Sequence, residues 1–306
     1  MSDGLIDLYT QQFSTLLLAK LQQQGSKLRG RVQEGSHKGN MASPIQYIGP
    51  VQAKAPAGRF ALLNYQQPTF TRRWVEPVDK EIPLVIDTFD ELKTIVDPKS
   101  QYSTQSAYAA NREYDDRLIA AAFGTAKIGG DASSLTNETF DTSSWQILNT
   151  FGSGATSSGL TVAKIREAKR MFRKAEVDVD AEQITWVTNS QGESDLMAQA
   201  QVVSTDFNDR PVLTDGKITR FYGMDFVYSE RLSSSANVRK NIVFVKSGLY
   251  LGMWQEMQTR IDQAVWLSSQ PWQVYTKMSS GATRLEPGRL LEVDCADTSA
   301  AADVTP

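Results

Sequence analysis

SQYSTQSAYAANREYDDRLIAAAFG, residues 100–124, is the stretch on which the rest of the chain is organised. Its composition and ends predict one long helix. Pro98 stands just outside the start, Ser100 and Ser103 offer N-caps, and Gly124 offers a left-handed C-cap where glycine costs least. About 22 helical residues at a rise of about 1.5 Å would span roughly 33 Å. Leu118, Ala121 and Ala122 fall near one face, with Tyr114 and Phe123 at its edges. The other side carries Arg112, Glu113, Asp115, Asp116 and Arg117. Glu113 and Arg117 stand in the favourable i,i+4 order, Arg112 and Asp116 in the reverse order. Such a helix is either one amphipathic element of an α+β domain or the spine of an extended building block. The flanking sequence decides between them.

The chain has 306 residues, 41% hydrophobic and 22% charged, which suits one large globular domain or two modest ones. A formal net charge of −3 gives no global case for a nucleic-acid binder, although it is compatible with enclosing nucleic acid. Cys295 is the single cysteine, so no internal disulfide can form and a reducing compartment is expected. The longest early apolar run, Leu16 to Ala19, is far short of a membrane span. Asp3 and Asp7, with no basic segment before them, argue against a secretory signal.

Little catalytic chemistry is available. His37 is the one histidine and sits among Gly35, Ser36 and Gly39, which describes a loop; a multi-histidine metal site is impossible. Asp115 and Asp116 are adjacent on a helix, about 100° apart, and form no dyad on one face. Asp178, Asp180 and Glu182 alternate, but Gln183 stands where a calcium loop needs glycine. The glycine- and serine-rich residues 151–159 lack both the Gly-Lys-Ser/Thr sequence and the dinucleotide glycine spacing, and read as a flexible junction. No enzyme activity, cofactor or metal is therefore expected.

Outward from the helix, residues 5–24 form a predicted amphipathic helix with Phe13, Leu16, Leu17 and Leu21 on one stripe. A basic, glycine-punctuated segment comes next, with Lys27, Arg29, Arg31 and Lys38; it has little core of its own and reads as a peripheral element or an arm lying on a neighbour. Residues 44–90 are extended, because Pro44, Pro50, Pro56, Pro68, Pro77 and Pro83 exclude a long helix. Strand-like runs at 60–63 and 69–75, with charges at Arg72, Arg73, Glu76 and Lys80, suit an edge or a protruding hairpin. Such a hairpin must lean on something. Residues 88–96 are expected to form a short helix.

Past the long helix, residues 161–174 predict a second one. Thr161 is its N-cap, Leu160 and Ile165 form a hydrophobic staple, and Ile165, Ala168 and Phe172 form the buried face. Its outer face is assigned Lys164, Arg166, Lys169, Arg170, Arg173 and Lys174, relieved only by Glu167. A strand at 184–188 and a helix capped by Ser190 with Glu193 come after it. An irregular loop is expected at 201–216. Strands are expected on either side of Gly223, at 241–246, at 249–253, within 255–274, and to Val293. The tail 296–306 is expected to be flexible.

The order of segments carries a resemblance. Ile86-Asp87-x-Phe89-Asp90 leads into Asp97-Pro98-x-Ser100-x-Tyr102, then Ala109-x-x-Arg112-x-x-Asp115-x-x-Leu118, and closes at Phe123-Gly124. Gly216-Lys217-Ile218 before Gly223 to Ser229, and the early Gln23-Gln24-x-Ser26-x-Leu28-x-x-x-Val32, complete the pattern. This resembles the major capsid proteins of tailed bacteriophages, whose shell fold is called the Hong Kong 97 type. The resemblance implies an α+β fold with an N-terminal arm (1–43), an extended loop (44–85), a peripheral domain with the spine helix (86–154), an axial domain (155–250), a return to the peripheral domain (251–295) and a tail (296–306). It implies pentamers and hexamers of this chain closing into an icosahedral shell around double-stranded DNA, bound without sequence specificity. Assembly would take place in the bacterial cytoplasm, without a membrane, and the product would be the virion capsid. Scaffold, portal and decoration proteins are the expected partners; with no long N-terminal scaffolding segment, the scaffold is expected to be a separate protein. Candidate inter-subunit contacts are Arg72, Arg73, Glu76, Lys80, Arg112 and Asp116. Candidate arm contacts are Phe13, Leu16, Leu17 and Leu21. Candidate inner-surface or partner contacts are Lys27, Arg29, Arg31, Arg166 and Arg170. The family archetype's lysine–asparagine cross-link does not carry over: Lys54 and Lys80 lie in the right region, but no asparagine matches the partner. An encapsulin-like compartment and a soluble α+β enzyme are the competing readings.

Overall fold

A computed structural model describes residues 21–55, 58–59, 62, 65–88, 99–154, 156–199 and 218–297. Of the helices expected at 5–24 and 88–96, residues 5–20 and 89–96 lie outside the described residues, as do the loop expected at 201–216 and the tail from 298; residues 21–24 are described and are not helical. The fold is α+β with three sheets. The elements in order are β1 (Gln33–Ser36), β2 (Ala42–Ile48), β3 (Phe70–Val75), β4 (Val78–Ile86), α1 (Lys99–Phe123), β5 (Ala126–Ile128), β6 (Thr136–Glu138), α2 (Thr142–Trp145), β7 (Gln146–Ile147), α3 (Val162–Lys174), β8 (Ile184–Thr188), α4 (Ser190–Met197), β9 (Arg220–Phe221), β10 (Met224–Tyr228), β11 (Ser234–Ser235), β12 (Val238–Val245), β13 (Leu249–Gln263), β14 (Trp272–Arg284) and β15 (Leu290–Ala296).

The chain divides into two compact units. One comprises residues 1–25, 79–112 and 255–278; the other comprises 26–78, 113–254 and 279–306. In the second, a seven-stranded sheet runs β7-β15-β12-β8-β10-β9, with β11 paired to β12. β10 runs parallel to β8, and β12 antiparallel to both β8 and β15. The sheet centre is covered: every residue of β8 and β15 and the last five of β12 are buried, Glu292 and Asp294 among them. α3 packs Ile165, Ala168 and Phe172 into a core with Leu160, Trp186, Val243 and Val293. Thr161 caps α3 as expected, accepting from Lys164 N. α4 is capped by Asn189, which accepts from Gly192 N, and not by Ser190. β15 pairs with β12 over seven residues, Val238 to Phe244 against Ala296 to Leu290. The strand expected to end at 253 continues unbroken to Gln263, and β14 runs on to Arg284. Tyr222 and Gly223, both at positive φ, turn β9 into β10.

Three polar side chains hold this unit from inside. α1 ends at Gly124, whose φ is not positive, so the expected left-handed cap is absent. Glycine is needed for another reason: a Cβ there would stand 2.6 Å from the Ala120 oxygen. The cap comes from the fully buried Arg284, whose Nη1 donates to the carbonyls of Ala122 (3.1 Å) and Gly124 (3.0 Å) and whose Nη2 donates to that of Glu138 (3.1 Å). Lys164, assigned above to the outer face of α3, is fully buried; its ammonium donates to the carbonyls of Ser158, Gly159 and Asp294 at 2.8–3.0 Å. The same contacts pin the end of the stretch read as a flexible junction, with Asp195 packed so closely that a Cβ on Gly159 would collide with it. Asp115, assigned to the charged face of α1, is fully buried and accepts from Ser26 Oγ (2.5 Å), Lys27 N (2.9 Å) and Leu28 N (3.2 Å). Leu28 and Val32 are buried too, and β1 adds in parallel to β13. Residues 26–36 are therefore built into the fold, in line with the alternative of a peripheral element packed on its own subunit, although as an extended strand and not a helix. His37 lies at the end of this strand, its Nε2 2.6 Å from Tyr250 Oη and its ring against Trp254.

In the other unit, β13 and β14 pair through Thr259 and Thr276 hydroxyls 2.8 Å apart, and Val274 and Thr276 are fully buried. Tyr275 donates to Glu81 of β4, and the Lys99 ammonium lies 4.1 Å from the centre of the Trp272 ring.

Arg284→Met leaves carbonyls at the end of α1 unmatched and is expected to cost about 3 kcal/mol. It should appear as a lower urea midpoint at unchanged slope; an unchanged midpoint would show that the cap is dispensable. Asp294 lies beside Glu292, sharing the Gln146 amide with it, and burial followed by the Glu292 charge pushes its carboxyl up to about 6. An unfolded aspartate titrates near 3.9. The folded chain thus holds the proton more tightly, and this group's stabilisation, complete below about 3.9, is lost as pH rises through about 6. Asp294→Asn should raise the melting temperature relative to the parent more at pH 8 than at pH 4. Equal shifts at both would contradict this.

Candidate assembly surface

The β2–β3 hairpin is built by alternation. Its register pairs Ile48 with Phe70, Tyr47 with Thr71, Gln46 with Arg72 and Ile45 with Arg73, and slips between Ala42 and Ile45, around Pro44. One face is anchored: Ile45, Tyr47 and Val75 pack with Tyr250, Trp254 and Leu285. The other face presents Ile48 and Phe70 as a cross-strand pair, 64% and 56% exposed. Val51, Leu62 and Tyr65 in the connecting segment are also exposed. In the other unit, the turn between β13 and β14 exposes Val265, Trp266 (72%) and Leu267, with Ile261 below them on β13. Large apolar side chains grouped on hairpins in this way are unusual on a monomer and mark interaction surfaces.

The predicted contact residues separate. Arg73 is buried, and its guanidinium faces Glu138 with Nη1–Oε2 2.8 Å and Nη2–Oε1 3.1 Å. It holds β3 to the β5–β6 hairpin and is not an open contact. Arg72 is half-buried and donates to the Gly130 carbonyl. Glu76 is exposed and pairs with Lys127. Lys80 is exposed on β4. Glu113 and Arg117 pair at 2.8 Å as expected. Arg112 instead donates to Gln22 Oε1 and the Gln23 carbonyl, and Asp116 accepts a two-pronged contact from Arg231.

The basic residues of the early segment are engaged within the chain. Lys27 donates to the Tyr228 carbonyl at 2.6 Å, Arg29 pairs with Glu34 and lies over the Tyr114 ring, and Arg31 is 3.7 Å from Asp225. Arg166 is exposed, and Arg170 is exposed with both prongs on Glu167. Of the arm contacts, Phe13, Leu16 and Leu17 lie outside the described residues; Leu21 is fully exposed and not helical.

Reading the proline-bounded strands for their charges misses these exposed apolar pairs. Neither run alternates cleanly, Tyr47 standing next to Ile48 and Thr71 to Arg73 all being polar, so the pairing register and not the sequence pattern reveals the pair. Among the described residues, no group of three His, Cys, Asp or Glu side chains could hold a metal ion, and no helix is long and apolar enough to cross a membrane. Cys295 is buried, and burial pushes its thiol up to about 12, which removes thiolate reactivity near neutrality.

The comparisons with known proteins agree with this architecture. The capsid of cyanophage P-SCSP1u superposes with a TM-score of 0.74 at 16% identity, covering 97% of this chain and 96% of that one. The capsid of cyanophage Pam1 gives 0.73 at 10% identity, over 96% and 98%. The capsid of a native GTA particle gives 0.66 at 13% identity, over 95% and 96%. No curated protein matches in sequence. The family model described as phage capsid protein matches residues 5–297, nearly the whole sequence. The chain belongs to the phage capsid protein family.

Proposed function

We propose that many copies of this chain, as pentamers and hexamers, close into an icosahedral shell around the double-stranded DNA of a tailed bacteriophage, with assembly in the host cytoplasm. The observation that carries this reading is the two-faced β2–β3 hairpin. One face is anchored in its own unit, and the other leaves Ile48 and Phe70 in water. Covering one such side chain contributes about 1.5–3 kcal/mol. A closed shell repeats that modest gain at every interface, and multivalency makes the whole far more stable than any pair. The role is structural and involves no catalysis. An acidic chain suits enclosure of DNA without tight, salt-dependent phosphate binding, which would hinder packaging and release. A scaffold, a portal and decoration proteins complete the set of partners. The layout is an arm, extended loop, peripheral domain and axial domain. Arg72, Glu76 and Lys80 remain candidate contacts between copies, whereas Arg73 holds the subunit itself together.

Expression of the chain alone and with candidate scaffold proteins, imaged by electron microscopy, tests the reading. Closed particles containing DNA are expected in infected cells; protein cargo would point to an encapsulin-like compartment, and a compact monomer under all conditions would overturn the shell. Ile48→Asp with Phe70→Asp should abolish closed particles while the subunit keeps a cooperative melt. Parental particle yield from that variant would refute the role of the hairpin face. Arg72→Glu should reduce particle yield with little loss of stability. Arg73→Glu places two carboxylates together in a buried site and should destabilise the subunit by about 3 kcal/mol or more. Similar melting temperatures for the two variants would contradict the division of roles.

A further inference from the structure

β13 and β14 pair along their length, and their two faces differ. One face carries Val274 and Thr276, both fully buried, with the Thr276 hydroxyl on that of Thr259 and the Trp272 ring under the Lys99 ammonium. Side chains alternate along a strand, so the residues between these turn to the other face. There Arg260 and Asp262 of β13 and Gln273, Tyr275 and Lys277 of β14 line a trough of about 370 Å³, to which the turn adds Trp266. No aliphatic residue lines it. Its polar groups are open. Among the described residues, the side chains of Arg260, Asp262, Gln273 and Lys277 make no hydrogen bond and no ion pair, although carboxylate and guanidinium stand two residues apart on one strand. Tyr275 is tied, its hydroxyl donating to Glu81 at 2.9 Å, which holds its ring in the trough.

This composition selects among ligand classes. A phosphate polymer is disfavoured, because Asp262 and Glu81 offset Arg260 and Lys277 and leave no net positive field. An apolar peptide finds no aliphatic pocket for an anchor. A sugar ring suits both parts of the site. Its C–H face packs on an aromatic ring, and its hydroxyls, each donor and acceptor, match an amide, a carboxylate and two cations. The volume lies within the range of small-molecule sites, about 300–1,000 Å³. We propose that this trough binds a pyranose oligosaccharide, one ring stacked on Trp266 and the adjoining hydroxyls held by Arg260, Asp262, Gln273 and Lys277. The site is built within one unit of the subunit and does not rest on the shell reading. A saccharide and a neighbouring copy are rival occupants of the exposed Trp266, and the experiment separates them.

The test is affinity electrophoresis of the full chain, unassembled and as particles, in native agarose containing hydroxyethyl cellulose, dextran or galactomannan. At least one polymer is expected to retard the parent in both states. With that polymer, Trp266→Ala should weaken binding about tenfold through loss of the stacked ring. Asp262→Ala should weaken it about tenfold through loss of charged hydrogen bonds. Trp266→Phe should keep most of the binding, and Phe151→Ala, an exposed aromatic elsewhere, should leave it unchanged. Parental melting temperatures for the variants separate lost binding from lost folding. Retardation by none of the three polymers overturns the proposal, as does parental retardation of Trp266→Ala. A salt-sensitive shift with oligothymidylate, lost in Trp266→Ala, assigns the trough to nucleic acid and overturns the saccharide. Retardation that disappears on assembly assigns Trp266 to contact between copies and overturns it too. The unassembled chain decides saccharide binding even where no shell forms, so failure of the shell reading is seen separately.

Discussion

A single buried guanidinium fixes the frame of the larger unit. α1 gathers the partial negative charge of its dipole at Ala122 and Gly124, where the last carbonyls have no helical partner. Arg284 brings a permanent cation to that point from a strand 160 residues later and directs its third contact to the Glu138 carbonyl of β6. Burial works against the cation, and the fan of carbonyls compensates for it. The helix end, the β5–β6 hairpin and β14 thus share one charge. Arg73, paired with Glu138, carries the link on to β3, and so to the base of the exposed hairpin.

That chain of contacts makes the hairpin usable. A two-stranded ribbon has too little core to hold its shape alone. Here its inner face is held by Val75 packed with Tyr250 and Leu285, and on the other face the Trp74 indole ties its base by donating to the Gly129 carbonyl. Its outer face is thereby presented in one conformation, so little ordering entropy remains to be lost when a partner covers Ile48 and Phe70. Pro44 serves the same end, because a register slip at the base fixes the twist of the ribbon beyond it.

Much of this is legible in the sequence, for identifiable reasons. α1 and α3 announce themselves through periodicity, and α3 also through its Thr161 cap, whereas Ser100 and Ser103, expected to cap α1, lie inside a helix that starts at Lys99; the short apolar runs within β8, β12 and β15 read as strands. Three polar residues do not. Lys164 lies four residues before Ala168 and eight before Phe172, on the buried stripe; Asp115 lies three before Leu118 and seven before Ala122. Residue type sends both outward, whereas position sends them in. Their partners explain the error. Lys164, Asp115 and Arg284 bind backbone carbonyls and amides, which leave no complementary residue type for a sequence to display. The contact candidates, chosen by charge, fare unevenly for the same reason. Arg73 is internal, and the exposed pair Ile48–Phe70 is missed because its meaning depends on a register that only the folded sheet fixes.

The early segment shows the cost of overlooking such internal polar contacts. By composition, residues 27–38 are a basic, glycine-punctuated tail with nothing to hold it. Asp115 alone reverses that conclusion: one buried carboxylate accepts two backbone amides and a hydroxyl from residues 26–28, which places Leu28 and Val32 in apolar surroundings and starts β1 on the edge of β13. The positive charges of Lys27, Arg29 and Arg31 are then matched within the chain by the Tyr228 carbonyl, Glu34 and Asp225. The anchor at Asp115 therefore does two things: it ties residues 26–28 to α1, and it sets the start of the strand that adds to β13.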